Sequence, residues 1–163
     1  MNPIFAWSAL VISALIIQTT ILVDLFINGL KPDLLLIIVV LTSIILGKHH
    51  GVTIGFFSGL LEDLASGTFF GLNTLIKMFI GFIFGSVEQQ VFKEHRMLPL
   101  LAMSIATVLN YVLSLAFLVL LGANINFNMT LLYNLLMVLT YNVIISLFAH
   151  KLLYRFSLVF KKK

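Results

Sequence analysis

Apolar residues fall in long unbroken runs, and the polar positions between them divide the chain into six segments. The first run, Pro3 to Val23, stops at Asp24, and an Asn28–Gly29 turn with Lys31–Pro32 opens the next element. That element starts at Asp33 and runs apolar to Gly47, ending at Lys48, His49 and His50. The third run, Gly51 to Leu61, is followed at once by Glu62 and Asp63. Its 11 residues rise only about 16 Å as helix. Extended to Leu64 or Ala65 it becomes a short crossing; taken literally it is a re-entrant half-helix. An uncharged loop from Ser66 to Phe70, containing Gly67, leads to a fourth run from Gly71 to Val87 with one charge, Lys77. The polar stretch Glu88, Gln89, Gln90, Lys93, Glu94, His95 and Arg96 separates it from the fifth run, Leu98 to Leu121. A loop around Asn124, Asn126 and Asn128 leads to the sixth, Leu131 to Ala149. The pattern predicts helices over 3–23, 33–47, 51–65, 71–87, 98–121 and 131–150, with a basic tail over 151–163. Together they form a single six-helix transmembrane domain, all-α, whose third helix is short.

Composition makes lipid the solvent. Hydrophobic residues are 61% of the 163 and charged residues 10%, against about 45–50% and about 25% in soluble domains. The mean hydropathy is +1.14. So little polar surface cannot cover a globule in water, which excludes a soluble enzyme with its own core. The first run has no basic stretch before it and no small-residue cleavage site after it, so a retained helix is expected and not a signal peptide. The chain has no cysteine, which removes disulfides, thiolate metal sites and cysteine nucleophiles.

Charge then sets orientation, because lysine and arginine are held on the cytoplasmic side. With six crossings and both termini inside, the inner segments hold Lys48, Lys93, Arg96, Lys151, Arg155 and Lys161 to Lys163. That is eight of the ten basic residues. The outer loops hold Lys31 alone, and Lys77 lies within a run. The asymmetry also favours the third run as a true crossing. In the tail, Leu152, Leu153, Phe156 and Phe160 can share one helical face with Arg155 and the terminal lysines at anionic headgroups. The alternative is that the last helix simply continues out of the membrane. No solvated basic face of the kind that binds nucleic acid is present.

Chemistry is sparse and concentrated between residues 47 and 85. Gly51, Gly55 and Gly59 are spaced by four, with Asp63 at the next step, and Lys77, Gly81 and Gly85 repeat the spacing. Four residues turn a helix by about 400°, so each set forms one stripe. Small residues at that spacing let helix backbones approach closely in lipid. Asp63 and Lys77 continue these stripes and so face protein. An ionised group deep in a bilayer costs about 2.5–3.5 kcal/mol, a cost that a partner offsets. The expected pair is Asp63–Lys77, with Glu62 rotated about 100° away and wetter. Separate snorkelling of the two side chains and contact with a ligand or partner are the alternatives. Ser104, Thr107, Asn110 and Ser114 on the fifth helix, and Asn134 and Tyr141 on the sixth, are expected to make interhelical hydrogen bonds. Gln18, Thr19 and Thr20 read as interface polarity, and Lys48-His49-His50 as a solvated turn. No phosphate-binding loop, metal motif or nucleophile constellation is present, so no enzyme, cofactor, metal or catalytic residue is expected.

One longer pattern is more specific. Pro32-Asp33-Leu34-Leu35-Leu36, then Gly47, Gly51, Gly55-Phe56, Gly59-Leu60-Leu61, Asp63, Gly67 and Gly71-Leu72-Asn73 resembles the series found in the bacterial rod shape-determining protein MreD family. The departures are Phe69-Phe70, where a Pro-Leu or similar pair is common, and Lys77, which lies outside the pattern. The resemblance marks Pro32, Asp33, Gly67, Gly71 and Asn73 as motif residues. It implies a multi-pass protein of the bacterial inner membrane, within the elongation machinery (the elongasome) that carries out side-wall peptidoglycan synthesis and sets cell shape. It also implies an MreC-like bitopic partner, with MreB filaments, a SEDS polymerase and a class B transpeptidase as indirect partners, and membrane lipid around it. The family is similar in architecture to the six-helix substrate-capturing S components of energy-coupling-factor transporters, an analogy of fold alone.

Two functions follow. The first is a non-enzymatic scaffold that recognises another protein's transmembrane helix. The second is a transporter subunit capturing a small molecule or lipid-linked precursor near Asp63, Lys77, Asn110 and Asn134, since intramembrane polar groups are functional candidates. The short outer segments, Asp24–Pro32, Ser66–Phe70 and Gly122–Asn128, leave little to close over a ligand and favour the scaffold.

Overall fold

A computed structural model describes residues 3–21, 30–67, 69–87, 98–123 and 128–161. These residues are helical throughout, with short turns. Helix α1 spans Pro3–Ile16 and runs on through one π turn, Ile17–Ile21. It is followed by α2 (Leu34–Leu46), α3 (Lys48–Ser66), α4 (Leu72–Ser86), α5 (Leu98–Leu120) and α6 (Met129–Lys161). The Asn28–Gly29 turn, the polar stretch from Glu88 to Arg96 and the Asn124–Asn126 loop lie outside the described residues, as do the charges at Lys93 and Arg96.

The centre of the bundle is α2. Its sequence, LLLIIVVLTSIIL, is apolar all round, which suits acyl chains and a protein interior alike. Every residue from Leu35 to Ile44 is buried, and α1, α3, α4, α5 and α6 all pack on it. Thr42 and Ser43 do not disturb this environment, because their hydroxyls donate back to the carbonyls of Ile38 and Val39.

Two helices, α3 and α4, form the tightest pair, an antiparallel hairpin. A Cβ on Gly55 would lie 2.5 Å from the Lys77 carbonyl oxygen, and one on Gly85 would lie 2.5 Å from Lys48 Cα. Gly51 and Gly81 meet each other's backbones, and Gly59 meets Thr74 Cα. The two stripes therefore face one another, and hydrogen is the only substituent that fits between them. Gly67 ends α3 in the left-handed region, at φ 61°, and Gly71 precedes α4 at φ 95°. Both angles are open to glycine at no steric cost.

The third helix is longer than its apolar run. It begins at Lys48 and has 19 residues, which rise about 28 Å, nearly the thickness of a hydrocarbon core. The chain reverses at Gly47 alone, at φ 88°, so Lys48, His49 and His50 form the first turn of α3 instead of a loop. Residues 151–161 continue α6 without a break.

Among the described residues, Pro99–Leu120 and Met129–Arg155 are long and apolar enough to cross a membrane on length and composition alone. Trp7–Thr20, Leu34–Leu46 and Leu72–Ser86 are shorter apolar helices. Large side chains such as Phe57, Phe79, Leu101, Ile105, Leu120 and Phe148 point outward. An apolar exterior of this extent is the surface of a protein that lies in lipid.

A buried polar chain through six helices as the candidate functional site

Lys77 is the bulkiest fully buried side chain among the described residues, with 0% of its surface exposed. It sits five residues into α4, on the face turned toward α3. A lysine side chain leans toward the N-terminus of its own helix, and here that direction leads to the end of the bundle where α2 and α4 begin and α3 finishes. Two carboxylates meet it there. Its ammonium lies 2.7 Å from Asp33 Oδ2 and 2.7 Å from Glu62 Oε2.

The expected Asp63–Lys77 pair is replaced by this triad, and helix geometry gives the reason. Asp63 continues the glycine stripe and so stands directly against the start of α4, where four donors engage its carboxylate. Its Oδ2 accepts from the backbone N–H of Gly71 and of Thr74, at 3.0 Å each, and from the Thr74 hydroxyl at 2.6 Å. Its Oδ1 accepts from Asn73 N–H at 2.9 Å. The first N–H groups of any helix lack intrahelical acceptors, and Gly71, at the cap position of α4, has no side chain to supply one. Asp63 caps the helix from the preceding element. Glu62, one position earlier and about 100° round the helix, points instead to the side where Asp33 and Gln18 stand.

The acid that sequence patterning assigned only to a helix start has two roles. Asp33 Oδ1 accepts from Leu36 N–H at 2.8 Å, capping α2, while Oδ2 holds the Lys77 ammonium. Its own backbone N–H donates to Asn142 Oδ1 on α6 at 2.8 Å. Asn142 in turn donates to the Thr107 hydroxyl of α5 at 3.1 Å, and that hydroxyl donates to the Met103 carbonyl. On the other flank, Gln18 of the π turn donates to Glu62 Oε1 at 3.4 Å and accepts from Leu35 N–H at 3.3 Å. Gln18, Glu62, Lys77, Asp33, Asn142 and Thr107 thus form one connected chain that touches all six helices.

Gln18 and Asn142 are the residues that sequence reasoning missed. Gln18 is buried at 3% exposure, while its neighbours Thr19 and Thr20 are exposed, which corrects their joint assignment to the interface. A π turn holds one more residue per hydrogen-bonded ring than an α turn, and this one carries Gln18 toward α2 and α3. Asn142 is fully buried and shares its inward stripe with Ser146 and Leu153. The spacing of an amide and a hydroxyl by four in an apolar helix was the available signal. Of the other polar positions, Thr107 makes its interhelical bond, whereas Ser104 and Ser114 donate to carbonyls of their own helix. Asn134 and Tyr141 are half-buried.

Two carboxylates already engaged by an ammonium leave little for a cation. Among the described residues no three His, Asp or Glu side chains converge as metal ligands would. The arrangement ties the helices together around one buried ammonium and two partly buried carboxylates.

A family model described as rod shape-determining protein MreD matches residues 1–156. No curated protein matches the chain, and no solved structure does.

Proposed function

Because the chain belongs to the rod shape-determining MreD family, which carries its role in determining rod shape, we propose that it acts as a non-enzymatic inner-membrane scaffold of the elongation complex. In this reading it crosses the membrane six times with both termini inside. It binds an MreC-like bitopic protein through its lipid-facing helices, and through that partner it helps couple cytoskeletal filaments to peptidoglycan synthesis. Its architecture is then similar to that of energy-coupling-factor S components, with the interior closed by ion pairs.

The observation that carries the reading is the linkage of six polar side chains into one set. Lys77, Asp33, Glu62, Gln18, Asn142 and Thr107 are joined by ion pairs and hydrogen bonds, while Ser58 Oγ and Asn110 Oδ1 lie outside that set, buried without a hydrogen-bond partner among the described residues. A capture site needs polar groups that await a ligand, whereas a scaffold needs helices held in one arrangement so that its outer faces keep their shape. The interlocked interior supports the second requirement.

Depletion in growing rod-shaped cells tests it. The expected result is rounding and loss of side-wall synthesis, with retention of a single-pass bitopic protein on purification in mild detergent. Normal shape with loss of uptake of one nutrient would replace the scaffold by the transporter subunit.

A further inference from the structure

Between α1 and α3 the bundle leaves an apolar groove of about 540 Å³, lined by Trp7 and Val11 on one side and Ile54, Phe57 and Leu61 on the other. One end is polar. His49 and His50 belong to its wall, and Lys48 stands beside them, all three exposed. They mark the end of the bundle where α1 and α3 both begin.

The dimensions limit what can lie there. From His49 to Leu61 the wall of α3 rises about 18 Å, slightly more than half of an about 30 Å hydrocarbon core. The groove therefore serves one leaflet. An extended hydrocarbon chain fits a groove of this length and volume. At that end the two imidazoles supply ring N–H donors, and the exposed Lys48 that precedes them in the chain supplies a positive charge, a combination that suits a phosphate diester.

We propose that this groove is a binding site for an anionic phospholipid, with one acyl chain between α1 and α3 and the headgroup phosphate at Lys48, His49 and His50. The site needs only that the helices lie in a bilayer, so its test is separate from that of the scaffold. A lipid held there fills the gap between α1 and α3 and ties the position of α1 to leaflet charge.

Trp7 is the only tryptophan in the chain, and it lines the groove, so its fluorescence reports the occupant directly. The full-length protein is reconstituted in two sets of phosphatidylcholine–phosphatidylglycerol vesicles of identical composition. In one set the phosphatidylglycerol is brominated along an acyl chain, and in the other an equal mole fraction of phosphatidylcholine is. Brominated phosphatidylglycerol is expected to quench Trp7 with about fivefold preference, the factor that one basic residue gives at an anionic headgroup. Lys48→Gln/His49→Gln/His50→Gln is expected to abolish the preference while leaving general lipid quenching. Thr53→Phe, which adds bulk to the groove wall from an exposed position, is expected to reduce quenching by both lipids. Helix content by circular dichroism checks that each variant is folded. Equal quenching by the two lipids in the unaltered protein overturns the proposal without recourse to any variant. So does a preference that survives the triple substitution, or quenching that Thr53→Phe leaves unchanged.

Discussion

A lysine with no exposed surface is stable in hydrocarbon only where its lost hydration and its hydrogen-bonding capacity are both compensated on the spot. Lys77 meets this with two carboxylates at 2.7 Å, and removal of the cation leaves two partly buried acids together without a counter-charge. Lys77→Met is therefore expected to destabilise the bundle by about 3–5 kcal/mol, read as a lowered midpoint in a denaturing-detergent titration. Glu62→Gln is expected to cost less, because Asp33 still faces the ammonium. Combining Lys77→Met with Asp33→Asn and Glu62→Gln should recover most of the loss, since a neutral set carries no uncompensated charge. No recovery would mean that packing, not charge, fixes this site. Asp63 belongs to a different mechanism. Asp63→Ala is expected to cost at least the ~1 kcal/mol of an ordinary helix cap, with Asp63→Asn retaining part of it.

The α3–α4 hairpin is set by glycine in two separate ways, and substitution tells them apart. At Gly55 the obstacle is the partner backbone, with a Cβ placed 2.5 Å from the Lys77 carbonyl. Gly55→Ala must push the helices apart or strain them, an expected loss of about 1–3 kcal/mol, and Gly55→Val should lose more. At Gly67 nothing lies within 4 Å of an added Cβ, and only φ 61° opposes it. Gly67→Ala is then expected to lose about 1–2 kcal/mol from the left-handed backbone alone, and Gly67→Asn, which tolerates that region, less. Equal sensitivity of Gly67 to alanine and asparagine in thermal unfolding would contradict this division. The glycine stripes and the hairpin were legible from a spacing of four. The start of α3 was not, because Lys48-His49-His50 looks like a loop in hydropathy, while its helical state depends on the sharp reversal at Gly47.

For the whole molecule, the basic-residue asymmetry predicts which ends of the helices lie on which side. The absence of native cysteine makes single-cysteine labelling unambiguous. In intact cells a membrane-impermeant maleimide is expected to label Phe70→Cys, at the exposed α3–α4 turn, and to spare His50→Cys until the membrane is opened. The reverse pattern would invert the proposed topology, and labelling at both positions would mean that α3 does not cross. The helices agree with the six apolar runs because hydropathy is a local property that each segment carries with it. Their enclosure of α2 was not legible, because an all-apolar sequence is equally suited to a position against acyl chains.

Composition and a fixed 3.6-residue period are enough to give the solvent, the helices, the glycine faces that meet, and the inward direction of Lys77. The partners of Lys77 follow from how the helices pack. Asp33 and Glu62 stand 44 and 15 positions from Lys77, and Gln18, Asn142 and Thr107 join them from three further helices. Which carboxylate reaches an ammonium depends on the rotation and axial offset of whole helices, to within about one side-chain length. A helix's own period fixes which residues share a face, but not what stands opposite that face.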